Sequence, residues 1–587
     1  MKYKIKRGGI MLKNFNLITN PWLEVIEETN RENLVSLQEL FRNPTKYRRL
    51  AGDSASQDLA ILRFLLSILT TVYSRVDAEN QAYDWLELDE NFQVTGIEEL
   101  PEQEELQEIF SETWQALFTQ KAFTKSVLDY LDAVKDKFEM FGLQPFYQVT
   151  IDDYNKLVDS KKKITEKSLK KRTGTVAVKQ INRRISESNN TPAIFSPKSN
   201  LNKNELTLPE LIRWIITYQN YTGVTDKTKV VSKDKFSTSP GWLYRLNPVY
   251  VMGDNLFETL MFNLILFENE SMWSPLQKPV WEFESPKSYV ECRLSQDVPN
   301  NIAELYTMWS RVLHIEWENN QPIIFSAGLP MPDVTNAFIE PMTIWRRDKK
   351  TEDSRPATKR IDQLGEVMWR NFGSYIRVDT TDTRNTHRIP GVIKQLERIK
   401  NELGDKRIVT LTSSTLISDG NATSQAPVAE FVDNLSLNSA IIFDEKIKER
   451  WPSKIEDEIE LVQQLVMEDY KYLLTKIAEL RGISDSKEFE KTLIAKLYQR
   501  IDRPFREWML SLESDEDRDK KQSKWREQLR KIVLLAINVD IEKTAGPRDF
   551  RGISVTNSKS GKQEQKNIFV YISWFKMRMN KILNENT

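Results

Sequence analysis

The 587-residue chain balances 84 Lys and Arg against 85 Asp and Glu for a net charge of −1, with 40% apolar and 29% charged residues. That balance fits a globular protein with large cores and excludes a low-complexity or collagen-like chain. A single cysteine, Cys292, excludes an internal disulfide and any cysteine-based zinc cluster.

Residues 1–10 carry no apolar stretch with a cleavage site, so a secretory signal is not expected and the expected location is the cytoplasm. They are set aside as a leader, and the reading starts at Met11. Through 14–150 the chain alternates helical and strand-like stretches. NFNLITNPWLEVI reads as strand, turn and short strand with Asn20-Pro21 at the turn, and VSLQELF as a helix capped by Ser36. The longest apolar run, 59–73, is interrupted by Arg63 and too short to span a bilayer; it predicts a buried helix, and no membrane partner is expected. Helical periodicity over 103–138 leads into FEMFGLQPFYQV, where Gly142 and Pro145 break it.

Residues 161–184 then carry ten Lys or Arg against one acid, Glu166. Crowded cations repel unless an anion compensates them, and phosphate is the natural partner. Lys161, Lys162, Lys163, Lys170, Lys171 and Arg172 are the candidate phosphate contacts; a solvated loop with no ligand is the plain alternative. A loop follows between Pro192 and Pro197. LPELIRWIITYQNY predicts an amphipathic helix with Pro209 in its first turn, and a second loop, 221–242, adds Lys227, Lys229, Lys233 and Lys235.

From about 248 to 435 strand-like segments dominate (YVMG, RVLHIEW, PIIFSAG, IVTLTSSTLI, APVAEFV), with helices expected near 254–267 and 361–377. Asp419-Gly420 marks a hairpin turn. Beyond 440, apolar residues recur at Ile455, Ile459, Val462, Val466, Tyr470, Leu473, Ile477 and Leu480, and Gly482 stops the run. Three more such stripes follow, one with Pro504 as an expected kink, and a long polar connection over 546–566 precedes the last. The fold class predicted is α+β: a large mixed N-terminal domain, 11–438, followed by a C-terminal four-helix bundle, 439–587.

Catalysis has little to work with. His314 reads as a strand residue and His387 as part of a polar loop, Cys292 has no evident activating partner, and Gly561-Lys562 lacks the spacing of a phosphate-binding P-loop. Asp379 and Asp382 are a pair of loop acids without a third ligand. No enzyme activity, metal or cofactor is expected.

Taken in order, several segments resemble the CasA family, the large subunit of Cascade, the RNA-guided DNA surveillance complex of type I-E CRISPR systems. They are Asn16-Leu17-Ile18 through Pro21-Trp22-Leu23-Glu24-Val25, VSLQELF, QPFYQV at 144–149, PAIFSP at 192–197, RLNPVYVMGDNLFETLMFNLI at 245–265 and EPMTIWRRDKK at 340–350. Each is loose; their order and spacing carry the resemblance over nearly the whole chain.

The resemblance implies a non-catalytic subunit that reads the protospacer-adjacent motif (PAM) in double-stranded target DNA and starts strand separation. It also implies partners: the guide RNA 5′ end, the other Cascade subunits and a helicase–nuclease effector recruited to the target. Four places carry the implied contacts. Ile194, Phe195 and Ser196 correspond to the loop at the PAM and guide end, unless Ile194 and Phe195 only anchor that loop in the core. Gly223 lies in the stretch matching the family's glycine-containing loop, which is lysine-rich here. Ser424, Gln425 and Ala426 match the wedge that splits the duplex, with Glu430 after them; Asn421 could take the tip instead, and a plain surface hairpin is the alternative. Gln321, with Asn319 and Asn320, stands where the family has a minor-groove lysine, and amides can read minor-groove acceptors. A basic-loop, RNA-binding structural subunit of another ribonucleoprotein is the competing reading.

Overall fold

A computed structural model describes residues 15–181, 202, 204–223, 227–238, 240–268, 273–318, 320–376, 387–404, 406–418, 427–444, 450–556 and 563–584. They form an α+β fold in two compact units, Met1–Leu364 with Asn385–Arg398 and Leu411–Asp433, and Gly365–Arg384 with Ile399–Thr410 and Asn434–Thr587.

The first unit is built around the helix Ala55–Tyr73, which packs against Leu208–Tyr221 and Ile302–Thr307. Ser54 caps its start, its hydroxyl accepting from the Gln57 amide at 3.1 Å. Among the described residues this is the one helix long and apolar enough to cross a membrane, but it is wrapped by protein. Arg63 is tolerated inside because its guanidinium donates twice to Glu340, at 2.8 Å each, and lies 4.0 Å over the Tyr306 ring. Trp242 Nε1 donates to the same carboxylate at 2.6 Å.

Short antiparallel sheets surround this core. Leu23–Glu27 lies between Glu32–Val35 and Tyr47–Leu50, close to the strand and turn read from NFNLITNPWLEVI. Arg311–Glu318 and Gln321–Gly328 form a hairpin in register from Arg311↔Gly328 to Glu318↔Gln321. Its two-residue turn places Asn320 at φ 59°, a left-handed conformation that asparagine tolerates. Trp345–Arg347 lies between Ser354–Pro356 and His387–Arg388. Ile408–Ser418 pairs with Pro427–Asn438 and Val249–Met252; the Asp419-Gly420 turn between the long strands lies outside the described residues.

In the second unit the four stripes become four long helices. Trp451–Gln464 continues through a π-helical turn, Leu465–Tyr470, into Lys471–Arg481 and ends at Gly482, φ 65°. All eight stripe residues from Ile455 to Leu480 are buried. Ser486–Leu510 runs through Pro504 as one helix, Arg518–Ala536 continues into a second π-turn, Ile537–Glu542, and Ile568–Asn584 completes the set.

One expectation needs correction, and two further segments gain detail. The 361–377 segment is no helix: it forms short turns, Ile361–Gln363 and Met368–Asn371, and one helical turn, Phe372–Tyr375. Its apolar residues serve tertiary packing, with the buried Trp369 ring 4.4 Å from Phe505 and its Nε1 donating to Asp502 at 2.8 Å. Within the 546–566 connection the described residues form the helix Pro547–Arg551 and the strands Ile553–Thr556 and Gln563–Lys566, paired antiparallel. Residues 103–138 divide into Gln103–Gln120, Lys125–Ala133 and a last 3-10 turn, because Lys121 takes a left-handed φ of 54°.

Candidate nucleic-acid interface

The two basic loops, some sixty residues apart in sequence, are laid on one strand of the 311–328 hairpin. The first begins where Val158 bridges Val230. The Asp159 carboxylate accepts from the Lys161 amide at 2.9 Å, which turns Ser160–Lys162 outward. Buried Ile164 anchors the middle, its amide donating to Asn155 Oδ1 at 2.7 Å. Thr165 and Ser168 then cap the short helix Glu166–Lys170 reciprocally. Lys161, Lys162, Lys163, Lys170 and Lys171 are all exposed, and among them Lys170 reaches Glu166 at 3.6 Å.

Arg172, at φ 52°, turns the chain back. Its guanidinium pairs with Glu318 and also donates to the Glu318 carbonyl at 3.2 Å, tying the tract to the hairpin tip. The next residues dock directly: the amides of Thr175 and Val176 donate to the Ile324 carbonyl at 2.9 and 3.2 Å, and Thr175 Oγ1 accepts from the Ser326 amide at 2.8 Å. Gly174 permits this approach, since a Cβ there would stand 2.1 Å from the Ile324 oxygen.

The second loop meets the far end of the same strand. The Gly328 amide donates to the Thr228 carbonyl at 2.8 Å and the Val230 amide to the Gly328 carbonyl at 3.1 Å. Lys227, Lys229, Lys233 and Lys235 are exposed; Lys229 Nζ folds back to the Phe236 carbonyl at 2.6 Å. Gly223 is buried, its carbonyl accepting from Arg311 at 2.9 Å. Gly241 marks the close approach here, because a Cβ would lie 2.1 Å from Asn220 backbone atoms. Gln321 is exposed at the hairpin tip, beside the Arg172–Glu318 pair.

The result is a surface carrying the nine exposed lysines just named and Arg172, held by backbone hydrogen bonds to one hairpin. Such a surface attracts polyanions. Ile194, Phe195, Ser196, Asn421, Ser424, Gln425 and Ala426 lie outside the described residues, as do Asn319, Asp379, Asp382 and Gly561-Lys562. Glu430 is half-buried, and its carboxylate accepts from the Ser56 amide at 3.0 Å, at the start of the core helix. Arg172 as a tie to the hairpin and Gly174 as its close approach were not separable in sequence from the rest of the tract.

His314 sits in its strand, Nδ1 2.9 Å from the Val149 carbonyl and Nε2 3.2 Å from Glu316. His387 pairs with Arg346 in a short strand rather than lying in a loop. Burial pushes the Cys292 thiol up, away from thiolate character. Among the described residues no group of three or more His, Cys, Asp or Glu is placed to hold a metal.

Fold and site together describe a two-unit α+β protein with a lysine-rich face. The family described as CRISPR-associated protein Cse1 matches residues 16–536, and the chain belongs to that family. Solved structures share the fold along essentially the full length. Cse1 of Thermobifida fusca is 18% identical, with 97% of this chain and 98% of that chain covered and a TM-score of 0.71. Cse1 of Acidimicrobium ferrooxidans is 17% identical, with 98% and 99% covered and a TM-score of 0.69. CasA of Thermus thermophilus is 17% identical, with 98% and 100% covered and a TM-score of 0.63. A chain of a CRISPR RNA-guided surveillance complex, 12% identical, has a TM-score of 0.60 with 97% and 99% covered. No curated protein sequence matches.

Proposed function

We propose that this protein is the large, non-catalytic subunit of a type I-E CRISPR RNA-guided DNA surveillance complex, and that its basic face holds the phosphate backbone of double-stranded target DNA. The observation that carries this reading is the convergence of two separate lysine-rich loops on one hairpin, which gathers their exposed lysines on one part of a chain with no net positive charge. Phosphate contacts fix register and orientation; sequence is read by fewer groups. Those groups are assigned to Gln321 at the hairpin tip, to Gly223 and its lysine loop, and to Ile194, Phe195 and Ser196. Strand separation is assigned to Ser424, Gln425 and Ala426 or to Asn421. Family membership supports the remaining partners: the guide RNA 5′ end, the other Cascade subunits and a helicase–nuclease recruited after the duplex opens.

The test is copurification. Expressed with its neighbouring subunits and a guide RNA, the chain should elute in a single complex that binds duplex DNA carrying a matched target in preference to single-stranded RNA. A chain that stays outside the complex, or prefers single-stranded RNA, overturns the reading in favour of an adaptor of another ribonucleoprotein.

A further inference from the structure

Glu318 is an exposed carboxylate beside the loops that carry the lysines. By its charge alone it repels phosphate and weakens the field that draws a polyanion in. It also pairs in register with Gln321 at the end of the hairpin, which sets that repulsion where base reading is assigned. Its contacts with the basic tract give it a use that runs against its charge.

The short helix Glu166–Lys170 ends in a left-handed turn. The Arg172 amide donates to the Leu169 carbonyl at 3.0 Å and the Thr173 amide to the Ser168 carbonyl at 3.3 Å, with Arg172 at φ 52°. This is the Schellman arrangement, and Arg172 fills the position in it where glycine is preferred, because a Cβ is strained there. What offsets the strain is the side chain. Its Nη1 donates to the Glu318 carboxylate and its Nη2 to the Glu318 carbonyl at 3.2 Å. Both acceptors lie on another element, 146 residues further along the chain. Lys170, by contrast, pairs within its own helix, with Glu166. The grip on Glu318 therefore fixes the chain directly after Lys170 and Lys171, and the amides of Thr175 and Val176 fix the residues that follow.

We propose that Arg172 and Glu318 are positioning residues for DNA binding: Arg172 is not itself a phosphate contact, and Glu318 strengthens binding despite its charge. The pair holds the tract to the hairpin so that Lys170, Lys171 and the lysines before them meet the phosphates from a fixed base. This rests on the reading of the lysine-rich face as a DNA-binding surface. The role belongs to arginine in particular, because its planar fork reaches a carboxylate and a carbonyl together, whereas a lysine ammonium is a single point of charge on a flexible stem.

Binding of labelled duplex DNA by the assembled complex, measured across a salt series, separates the two roles because they predict opposite signs. Glu318→Gln should weaken binding about two- to fivefold, the strength of an exposed ion pair. Removing a negative charge from a phosphate-binding face would otherwise tighten it. Arg172→Lys keeps the charge and should lose as much as Arg172→Gln, whereas a phosphate contact would survive as lysine. Arg172→Glu with Glu318→Arg restores the pair in reverse at unchanged net charge and should recover most of the lost affinity. Equal or tighter binding by Glu318→Gln, full binding by Arg172→Lys, or no recovery in the reversed pair overturns the proposal. Glutamine replacement of Lys161, Lys162, Lys163, Lys170 and Lys171 serves as the reference. If that variant lowers the slope of log K against log salt while Glu318→Gln tightens binding, the positioning role alone is wrong. If it leaves the slope unchanged, the DNA-binding reading itself has failed.

Discussion

At the scale of single residues, stability rests on a few buried charges whose partners come from distant parts of the chain. Arg63 is fully buried, and Glu340 neutralises it while also accepting from Trp242. Glu340→Gln keeps the shape but leaves the guanidinium unneutralised in the core. The expected cost is about 3–5 kcal/mol, read as a lower urea midpoint for the first unit; a midpoint within error of wild type would show that the pair is dispensable. In the second unit, burial pushes the Glu456 carboxyl up to about 7 from an ordinary 4.5, although the Gly373 amide donates to it at 3.0 Å. The folded state therefore binds a proton that the unfolded state releases. That stabilisation is full below about pH 4.5 and is lost as pH rises through about 7. Glu456→Gln should consequently gain on wild type at pH 8 and not at pH 5 in paired unfolding curves. A gain of equal size at both pH values would assign the effect to packing.

At the scale of elements, the periodic ones were legible and the pairings between distant segments were not. The stripe from Ile455 to Leu480 runs through the π-turn and still buries every member, because its steps of three and four need only one face. Charge made the two basic loops visible. That residues 173–176 and 228–230 both bind the backbone of 324–328 could not be read, since backbone hydrogen bonds leave no residue-type signature. Trp369 misled in the opposite direction: its neighbourhood looked helical, but the ring is held by Phe505, far along the chain. The hairpin over 553–566 was missed because its four-residue strands are largely polar. The docking of the basic tract gives its own prediction. Gly174→Ala drives a methyl against the Ile324 carbonyl and should loosen the tract without removing a lysine. Faster amide exchange at Thr175 and Val176, with weaker DNA binding, is the expected pair of results; native exchange rates would show that the strand can shift to admit the methyl.

At the scale of the whole molecule, the bundle is one part of a discontinuous unit that also contains 365–384 and 399–410. A fragment of 439–587 keeps all four long helices but separates Phe505 from Trp369 and Glu456 from the Gly373 amide. It should be helical by circular dichroism and melt below a fragment of 365–587; equal melting temperatures would show that the added segments contribute nothing. The other unit carries the central claim, that its lysine-rich face holds DNA through phosphates. The most direct measurement is the salt dependence of duplex binding by the assembled complex, wild type against the variant with Gln at Lys161, Lys162, Lys163, Lys170, Lys171 and Arg172. Each phosphate left without its cation should lower the slope of log K against log salt by somewhat under one unit, with affinity falling alike for all sequences. A slope identical to wild type would mean that the tract is a solvated loop and that the DNA is held elsewhere.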